Sequence, residues 1–338
     1  MSQDRYDMVA IGNAVVDVIA RVPESFLVEH GVPRSTMTLI DTPRAQELYA
    51  AMPPATEASG GSAANTAVGG AQLGLRTAYI AKTRDDELGR IFAHDIRASG
   101  VLYNGPVAPA SDPLETARSL ICVTPDGERS MNTYLGISTT ITPEDVDEAL
   151  LEQTDWLYLE GYLFDMDAAK AAFQRAIAAV RRGGGKVALT CSDPFCIERH
   201  RADFRRLIGD HVDLLFANRA EALSLFETSS LEIACEMLGR QVELAAVTLS
   251  EEGALVRRGE REVRAAPPAV DIVDLTGAGD LFAAGFLAGH ISGLEDQRAA
   301  YLGNLVAANI IAQIGPRSTS DLAALAAAQG FELVNRAA

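Results

Sequence analysis

The stretch Asp274-Leu275-Thr276-Gly277-Ala278-Gly279-Asp280, followed by the apolar run 281–287, carries the most information in this sequence. Two glycines around an alanine allow successive backbone N–H groups to point at one spot, which forms a concave anion site. The helix predicted by the apolar run adds its N-terminal dipole, which favours a phosphate there. Asp280, at the helix start, can accept a proton from a hydroxyl group that attacks a phosphoryl group. A tight turn with an Asp N-cap is the alternative.

A second glycine-led segment, Gly60-Gly61-Ser62-Ala63-Ala64-Asn65, predicts another helix that starts beside a ligand. Paired glycines before a helix allow a ligand to approach the backbone closely. Asn65 lies one turn into the helix, and its amide can donate hydrogen bonds to sugar hydroxyls and accept them. Asp17 follows the Gly12-Asn13 turn, at a strand end where open α/β sheets bind ligands. Its carboxylate can accept two hydrogen bonds from a diol. A glycine-rich helix entry with a satisfied Asn65 is the simpler alternative.

A third segment, Asn218-Arg219-Ala220-Glu221, comes directly after the apolar run 214–217. Asn218 and Glu221 are three residues apart, so they share one face of a helix. Together they can hold water on a Mg²⁺ ion beside a triphosphate, because protein-bound Mg²⁺ keeps several of its waters. A capped helix start with a solvated Glu221 accounts for the same residues.

Short apolar runs alternate with helical patterns along most of the chain. Runs of strand length occur at 8–11, 78–81, 156–159, 187–190, 214–217 and 244–249. Helices are predicted at 62–73, 86–99, 167–182, 219–226 and 231–238. This alternation indicates an α/β protein with a mostly parallel sheet covered by helices on both faces. We expect residues 1–338 to form one domain.

Two regions interrupt the alternation. Residues 18–41 and 117–134 carry period-2 stretches, and Pro125-Asp126-Gly127 is a turn of hairpin type. Both regions lie beside glycine-rich turns, so we expect about 14–45 and 105–138 to form a small β-sheet lid over the binding edge. A surface hairpin without a role is the alternative. An open edge of such a lid can pair with a second chain, which predicts a homodimer through the lid.

Charge and composition exclude several classes of protein. The 338 residues include 29 Lys plus Arg against 46 Asp plus Glu, which gives a net charge of −17. Nucleic-acid binding is excluded, because it depends on Lys and Arg contacts to phosphates. An anionic membrane surface is disfavoured for the same reason, and the apolar run 281–291 is too short to span a bilayer.

The cysteines predict a reducing compartment. Cys122, Cys191, Cys196 and Cys235 match neither a zinc nor a redox spacing. The first residues lack the apolar run of a secretory signal. We therefore expect four reduced thiols in a cytoplasmic protein.

In their order and spacing, these elements resemble the ribokinase/PfkB family of carbohydrate and nucleoside kinases. Residues 60–74 are similar to the N-terminal signature of that family and residues 274–287 to its C-terminal one. The resemblance, which covers nearly the whole chain, implies a three-layer α/β/α core with a β lid. It also implies transfer of the ATP γ-phosphoryl group to a primary hydroxyl of a sugar or nucleoside. The Walker A pattern and the Gly-x-Gly-x-x-Gly fingerprint are absent, which disfavours a P-loop NTPase and a nicotinamide dehydrogenase.

The resemblance also implies roles for individual residues. Asp280 is the expected catalytic base, with Gly277, Ala278 and Gly279 as the anion hole. The sugar hydroxyls are expected to be bound by Asp17, Gly60, Gly61 and Asn65. The ATP phosphates and Mg²⁺ are assigned to Asn218 and Glu221, and the nucleotide site to Thr248, Gly253 and Asn309. Asp274 and Thr276 match positions where many members hold a monovalent cation, usually potassium, although Pro316-Arg317 beside Gly315 departs from that pattern.

Several details favour a nucleoside as the phosphoryl acceptor. Residues 12–17 and 60–62 are more similar to adenosine kinases than to ribokinases, which typically have a lysine after the glycine pair. Tyr162 falls where adenosine kinases place an aromatic side chain against the base, and such stacking contributes about 1–3 kcal/mol. A core tyrosine with a bonded hydroxyl is the alternative for Tyr162. Against adenosine, Thr276 stands where adenosine kinases often carry Asn.

Three hypotheses on function follow. The first is an ATP- and Mg²⁺-dependent kinase for the 5′-hydroxyl of adenosine, which yields AMP for purine salvage. The second is a sugar kinase of the same fold, since members that phosphorylate ribose, fructose or ketodeoxygluconate share the signatures. The third is a non-catalytic nucleoside- or sugar-binding sensor, against which the intact Asp280 and glycine anion site argue.

Overall fold

Two larger β-sheets, a two-stranded sheet and the surrounding helices make up the computed structural model, which describes residues 5–336. The strands are β1 (Tyr6–Ile11), β2 (Val15–Arg21), β3 (Met37–Leu39), β4 (Thr56–Gly60), β5 (Thr77–Ile80), β6 (Thr83–Arg84), β7 (Leu102–Tyr103), β8 (Val107–Ala108), β9 (Ala117–Val123), β10 (Arg129–Tyr134), β11 (Thr154–Glu160), β12 (Lys186–Thr190), β13 (Leu214–Asn218), β14 (Leu244–Thr248), β15 (Ala254–Arg258) and β16 (Arg261–Ala265). The helices are α1 (Glu24–Glu29), α2 (Thr42–Ala51), α3 (Ser62–Gln72), α4 (Glu87–Ala98), α5 (Glu148–Glu152), α6 (Asp167–Arg182), α7 (Pro194–His211), α8 (Arg219–Phe226), α9 (Leu231–Gln241), α10 (Ala278–Ile291), α11 (Asp296–Ile311) and α12 (Leu322–Ala328).

The larger sheet has the strand order β16-β15-β14-β13-β12-β11-β1-β5-β7. Strands β14 to β7 run parallel, whereas β15 and β16 are antiparallel. Side chains of β1 alternate between two core layers: Met8 and Ala10 pack with α3 and α10, and Val9 and Ile11 pack with α6 and α8. Burial on both faces is what the continuous apolar runs predict. The expected three-layer α/β/α architecture is confirmed.

The smaller sheet has the order β3-β10-β9-β2-β4. The predicted hairpin is present, with β9 and β10 paired antiparallel and Gly127 at φ 88° in the turn. Residues 18–41 are less regular than their period-2 pattern suggests, since α1 lies between β2 and β3. Strand β4 lies outside the segments expected to form a lid. Its small residues Ala58, Ser59 and Gly60 have low strand propensity, which explains why the pattern did not indicate it.

Among residues 5–336, no helix is both long and apolar enough to cross a bilayer. All four cysteines are free and buried, and burial raises the pKa of the Cys122 thiol to about 11. Reduced, packed thiols agree with the expectation from their spacing.

Candidate active site

A cavity of about 610 Å³ lies between the carboxyl ends of the parallel strands and the smaller sheet. On the sheet side it is lined by residues that end or follow β1, β11, β13 and β14, namely Asn13, Glu160, Asn218 and Thr248. Strand β1 lies between β11 and β5, so the chain winds in opposite directions from it, and open α/β sheets bind ligands at such a point. The cavity brings together most of the predicted site residues: Asp17, Gly61, Asn65, Tyr162, Asn218, Glu221, Thr248, Thr276, Gly277, Ala278, Gly279 and Asp280.

Asp280 lies where the first turns of α3 and α10 meet. Its carboxylate accepts a hydrogen bond from Ser62 Oγ at 2.6 Å and another from Asn65 Nδ2 at 2.9 Å. Burial raises the pKa of Asp280 above its ordinary value, while Ser62, Asn65 and the charge of Arg317 oppose that shift. A carboxylate that is held by two donors and has a raised pKa suits a general base.

The start of α10 offers backbone N–H groups to the cavity. Gly277 has φ 79°, a left-handed conformation, and a Cβ there would lie 2.9 Å from Pro316. The Ala278 N–H donates to the Leu275 carbonyl at 3.2 Å. The N–H groups of Gly279 and Asp280 lie in the first turn, where no intrahelical acceptor exists. A Cβ at Gly279 would meet nothing within 4 Å, so an anion can approach there. Among the three residues expected to form the anion hole, Ala278 thus has its N–H engaged within the protein.

Asp17 and Asn65 present oxygen atoms to the same cavity. Burial raises the pKa of Asp17 to about 7, Arg317 and Arg129 oppose the shift, and Asp280 adds to it. The Asn65 Oδ1 atom is buried without a hydrogen-bond partner among the described residues. An orphaned acceptor in a native site indicates a missing ligand or water. Gly60 supports Asp17 from behind, because a Cβ there would lie 2.4 Å from Asp17 Oδ2.

The smaller sheet contributes an apolar wall to the cavity. Its lining side chains include Met37, Leu39, Met131 and Leu135, and Tyr162 lines the cavity from the end of β11. Leu39 is 58% exposed, although a leucine normally gains free energy from burial. An exposed apolar wall inside a cavity marks a ligand surface.

Asn218 and Glu221 form a capping box at the start of α8. Asn218 N donates to Glu221 Oε2 at 2.8 Å, and Asn218 Nδ2 donates to Glu221 Oε1 at 2.7 Å. Burial raises the pKa of Glu221 to about 7. The cap of the simpler interpretation is thus present, but Glu221 is buried rather than solvated, and both residues line the cavity. Each Glu221 oxygen retains a lone pair for a water molecule, which fits a Mg²⁺ ion held mainly by phosphates and water.

Two residues predicted to bind the nucleotide lie outside the cavity lining. Gly253 lies in a turn with φ 83°, and a Cβ added there would lie 2.1 Å from the Ala265 carbonyl oxygen. Asn309, on α11, contacts Ser318 and Ser320. Neither lines the cavity, so their nucleotide-binding roles rest on the resemblance alone. Among residues 5–336, no group of three or more His, Cys, Asp or Glu side chains could hold a metal by itself.

The family model of the pfkB family carbohydrate kinases matches residues 7–323. The chain belongs to the pfkB family. It is 50% identical to an adenosine kinase from Sinorhizobium meliloti, covering 97% of this chain and 100% of that one, with a TM-score of 0.88. It is 44% identical to a probable sugar kinase from Rhizobium etli, covering 96% and 99%, with a TM-score of 0.89. An uncharacterized sugar kinase from Archaeoglobus fulgidus is 29% identical over 74% of this chain and 97% of its own length.

Membership of the pfkB family makes the protein a kinase that transfers phosphate to a sugar or nucleoside hydroxyl. The cation that many members hold does not fit the residues present here. Asp274 lies outside the cavity lining and forms an ion pair with Arg129, 2.9 Å from Nη2 to Oδ2. Thr276 donates to Asp274 from its N–H and its hydroxyl. Asp274 is thus surrounded by donors, and we derive no catalytic step from a monovalent cation.

Three charged residues of this kinase were not assigned a role from the sequence. Glu160 accepts hydrogen bonds from Asn13 Nδ2 at 2.7 Å and from Ala63 N at 2.8 Å, and burial raises its pKa to about 7. Glu160 ends a parallel strand, the position that was expected for Asp17, whereas Asp17 itself lies inside β2 of the smaller sheet. Arg129 begins the second arm of the hairpin, and Arg317 donates to the Ser59 and Ala64 carbonyls. The partners of both arginines are distant in sequence, so no local pattern indicates them.

Proposed function

We propose that this kinase phosphorylates the 5′-hydroxyl of adenosine or a closely related purine nucleoside, with ATP as donor and AMP as product. One observation supports this choice above a sugar: the cavity has an apolar wall opposite its hydroxyl-binding side chains. Asp17 and Asn65 suit a ribose diol, and Met37, Leu39 and Tyr162 suit a flat base. A free sugar carries hydroxyls around its ring and leaves such a wall without a partner.

The reaction assigned to this site needs few groups. Asp280 takes the proton of the acceptor hydroxyl as that oxygen attacks the γ-phosphorus. The bond to the β,γ-bridging oxygen breaks, and ADP leaves. The N–H groups of Gly279 and Asp280 face the negative charge on the transferring phosphoryl group, aided by the helix dipole. Ser62 and Asn65 hold the Asp280 carboxylate in place.

ATP needs a divalent ion, and we assign Mg²⁺ to the side of the cavity formed by Glu221 and Asn218. When bound, Mg²⁺ supplies charge neutralisation between the phosphates. Glu221 would hold its waters, and Thr248 lies at the neighbouring strand end, where the nucleotide would extend.

We also propose that the smaller sheet acts as a lid. It covers the acceptor side of the cavity, and closure would exclude water from the phosphoryl group. Dimerisation through an edge of this sheet, at β3 or β4, and a cytoplasmic location stay predictions.

The proposal is tested with a coupled assay of ADP formation on adenosine, inosine, ribose, fructose and ketodeoxygluconate. Adenosine and ribose differ by the base alone, so their ratio of kcat/KM isolates the apolar wall. We expect adenosine to be preferred by about 100-fold or more, since stacking and burial of a base contribute about 1–3 kcal/mol each. A preference for any of the sugars would overturn the proposal in favour of a sugar kinase.

A variant tests whether the apolar wall of the cavity causes the preference for adenosine. Leu39→Asn keeps the side-chain length but removes the apolar contact, so kcat/KM for adenosine should fall about tenfold. Val28→Asn is the matched control, because Val28 is 83% exposed and does not line the cavity. Tight binding of adenosine without ADP formation at saturating ATP would indicate the sensor hypothesis instead.

A further inference from the structure

The carboxylate of Asp274 accepts three hydrogen bonds and forms one ion pair. Oδ1 accepts from Thr276 N at 3.1 Å and from Thr276 Oγ1 at 2.8 Å. Oδ2 accepts from Gly315 N at 2.8 Å and lies 2.9 Å from Arg129 Nη2. The side chains are 5% and 9% exposed, so water does not replace these partners easily. A carboxylate has about four lone-pair directions. Three hydrogen bonds use three of them, and the Arg129 guanidinium lies beside Oδ2 as an ion pair.

This environment is the opposite of what a bound potassium ion needs. A monovalent cation is held by oxygen atoms that direct lone pairs at it. Here the loop before α10 and the loop after α11 direct N–H groups of Thr276 and Gly315 at Asp274. A cation on Oδ2 would also lie against the guanidinium of Arg129, and two like charges a few ångströms apart repel strongly in a buried site.

Arg129 brings its charge from the smaller sheet. It is the first residue of β10, whereas Asp274 lies just before the helix α10 that offers the anion site. Arg129 also acts on the acceptor side, since its charge favours the ionised form of Asp17. Its Nη1 and Nη2 atoms are buried without a well-aligned hydrogen bond among the described residues, so the contact to Asp274 is an ion pair.

A second guanidinium, that of Arg317, belongs to the loop after α11 that also contains Gly315. Arg317 donates to the Ser59 carbonyl at 3.0 and 3.1 Å and to the Ala64 carbonyl at 3.0 Å. Its charge favours the ionised forms of both Asp17 and Asp280. Pro316-Arg317 is where the sequence departs from the cation-binding pattern of the family. The departure thus coincides with a built-in positive charge.

We propose that the Arg129 guanidinium takes the place of a monovalent cation at Asp274, and that this kinase consequently needs no potassium. The inference deepens the proposed function and rests on it for the activity measurements only. In this interpretation, the positive charge that orders the loop before α10 comes from Arg129 of the smaller sheet.

The first test uses the unmodified protein. Activity is measured in about 100 mM tetramethylammonium chloride and in the same concentration of KCl, so that ionic strength is constant. We expect equal kcat/KM in the two salts, within about twofold. Thallium-205 NMR with Tl⁺ as a potassium probe should show no bound ion. An increase of about tenfold in KCl, or a saturable Tl⁺ signal, would overturn the inference.

The second test replaces the guanidinium. Arg129→Met should lower kcat/KM about 100-fold in tetramethylammonium chloride, a loss comparable to removing one oxyanion donor. It also exposes Asp274 Oδ2, so added KCl or guanidinium chloride should restore part of the activity. Arg129→Lys retains a charge and should keep more activity than Arg129→Met. The matched control is Arg34→Met, since Arg34 pairs with Glu24 and Asp126 on the exposed side of the smaller sheet.

The outcomes separate the two proposals. An Arg129→Met protein as active as the unmodified one in tetramethylammonium chloride would refute the role of Arg129. If that variant does not fold, shown by the loss of a cooperative melting transition, the salt comparison and Tl⁺ binding on the unmodified protein still decide. If no acceptor yields ADP, the proposed function fails, whereas the Tl⁺ measurement still tests the cation site.

Discussion

At the scale of single residues, two carboxylates of the cavity, Asp280 and Asp17, differ in their hydrogen-bond partners. Asp280 accepts hydrogen bonds from Ser62 and Asn65, which favour its ionised form. Asp17 has no comparable side-chain donor among the described residues, and burial raises its pKa to about 7. Environments that treat two titratable groups differently assign them different tasks. Asp280 is thus equipped to take a proton, and Asp17 to accept hydrogen bonds from a bound hydroxyl.

The role of Asp280 predicts the pH dependence of kcat/KM. A general base works when deprotonated, so activity falls as pH drops through its pKa. Because burial raises that pKa, the acidic limb should lie above the ordinary aspartate value of about 3.9. Ser62→Ala removes a donor that lowers the pKa, so the limb should move to higher pH. Asp280→Asn should lower kcat by about 100-fold or more, with adenosine binding by calorimetry retained.

Asp85→Asn is the control for that series, since Asp85 is an exposed partner of Arg90 outside the cavity. An Asp280→Asn protein with unchanged kcat would remove the base from the mechanism. A limb that stays in place in Ser62→Ala would show that the titrating group is another carboxyl.

At the scale of elements, small residues bring the two signature helices together. A Cβ at Gly69 of α3 would lie 2.8 Å from Ala284 Cβ and from Leu281 Cδ1 of α10. Gly285 of α10 approaches Gly303 of α11 in the same way. The glycine- and alanine-rich signatures therefore serve helix packing as much as ligand binding. Because the helices approach so closely, Ser62 and Asn65 reach Asp280.

A substitution at Gly279 distinguishes a role of glycine in helix packing from a role in ligand binding. A Cβ there meets no protein atom within 4 Å, so Gly279→Ala should leave the melting temperature unchanged or slightly higher. The added methyl group projects where a phosphate approaches the N–H groups, so kcat/KM for ATP should fall about tenfold or more. Gly209→Ala is the matched control, because Gly209 also lies in open space on a helix but away from the cavity. Equal activity of both variants would contradict the anion site.

A structural feature could be predicted from the sequence when the residues that determine it lie close together in the chain. Helices α6 and α8 have the predicted bounds because local signals determine them: α6 has an apolar face and ends at Gly183, and α8 begins at its Asn218 capping box. The contact of Arg129 with Asp274 joins a hairpin to a distant loop, and nothing near either residue indicates it. Asn309, a position inferred from the family pattern, contacts Ser318 and Ser320 outside the cavity lining, and its role at the nucleotide stays a prediction.

At the scale of the whole molecule, the net charge of −17 has to be reconciled with a phosphate donor. The positive groups near the cavity include backbone N–H groups and two guanidiniums largely shielded from solvent, Arg129 and Arg317. A third guanidinium, the exposed Arg199 of the cavity lining, is paired with Asp165. The shielded groups act at short range, where the surrounding protein screens little of their field. The acidic surface acts at long range, repels a nucleotide in solution and keeps the protein soluble.

This division predicts the response to salt. With Mg²⁺ in excess, tetramethylammonium chloride is raised from about 20 to about 300 mM, which shortens the screening length from about 20 Å to less than 10 Å. The surface repulsion weakens while the buried guanidiniums keep their effect, so kcat/KM for ATP should stay level or rise up to about threefold. The uncharged acceptor adenosine is the internal control, and its KM should not change. A fall of about tenfold for ATP would mean that exposed cations gather the nucleotide, which contradicts the buried arrangement.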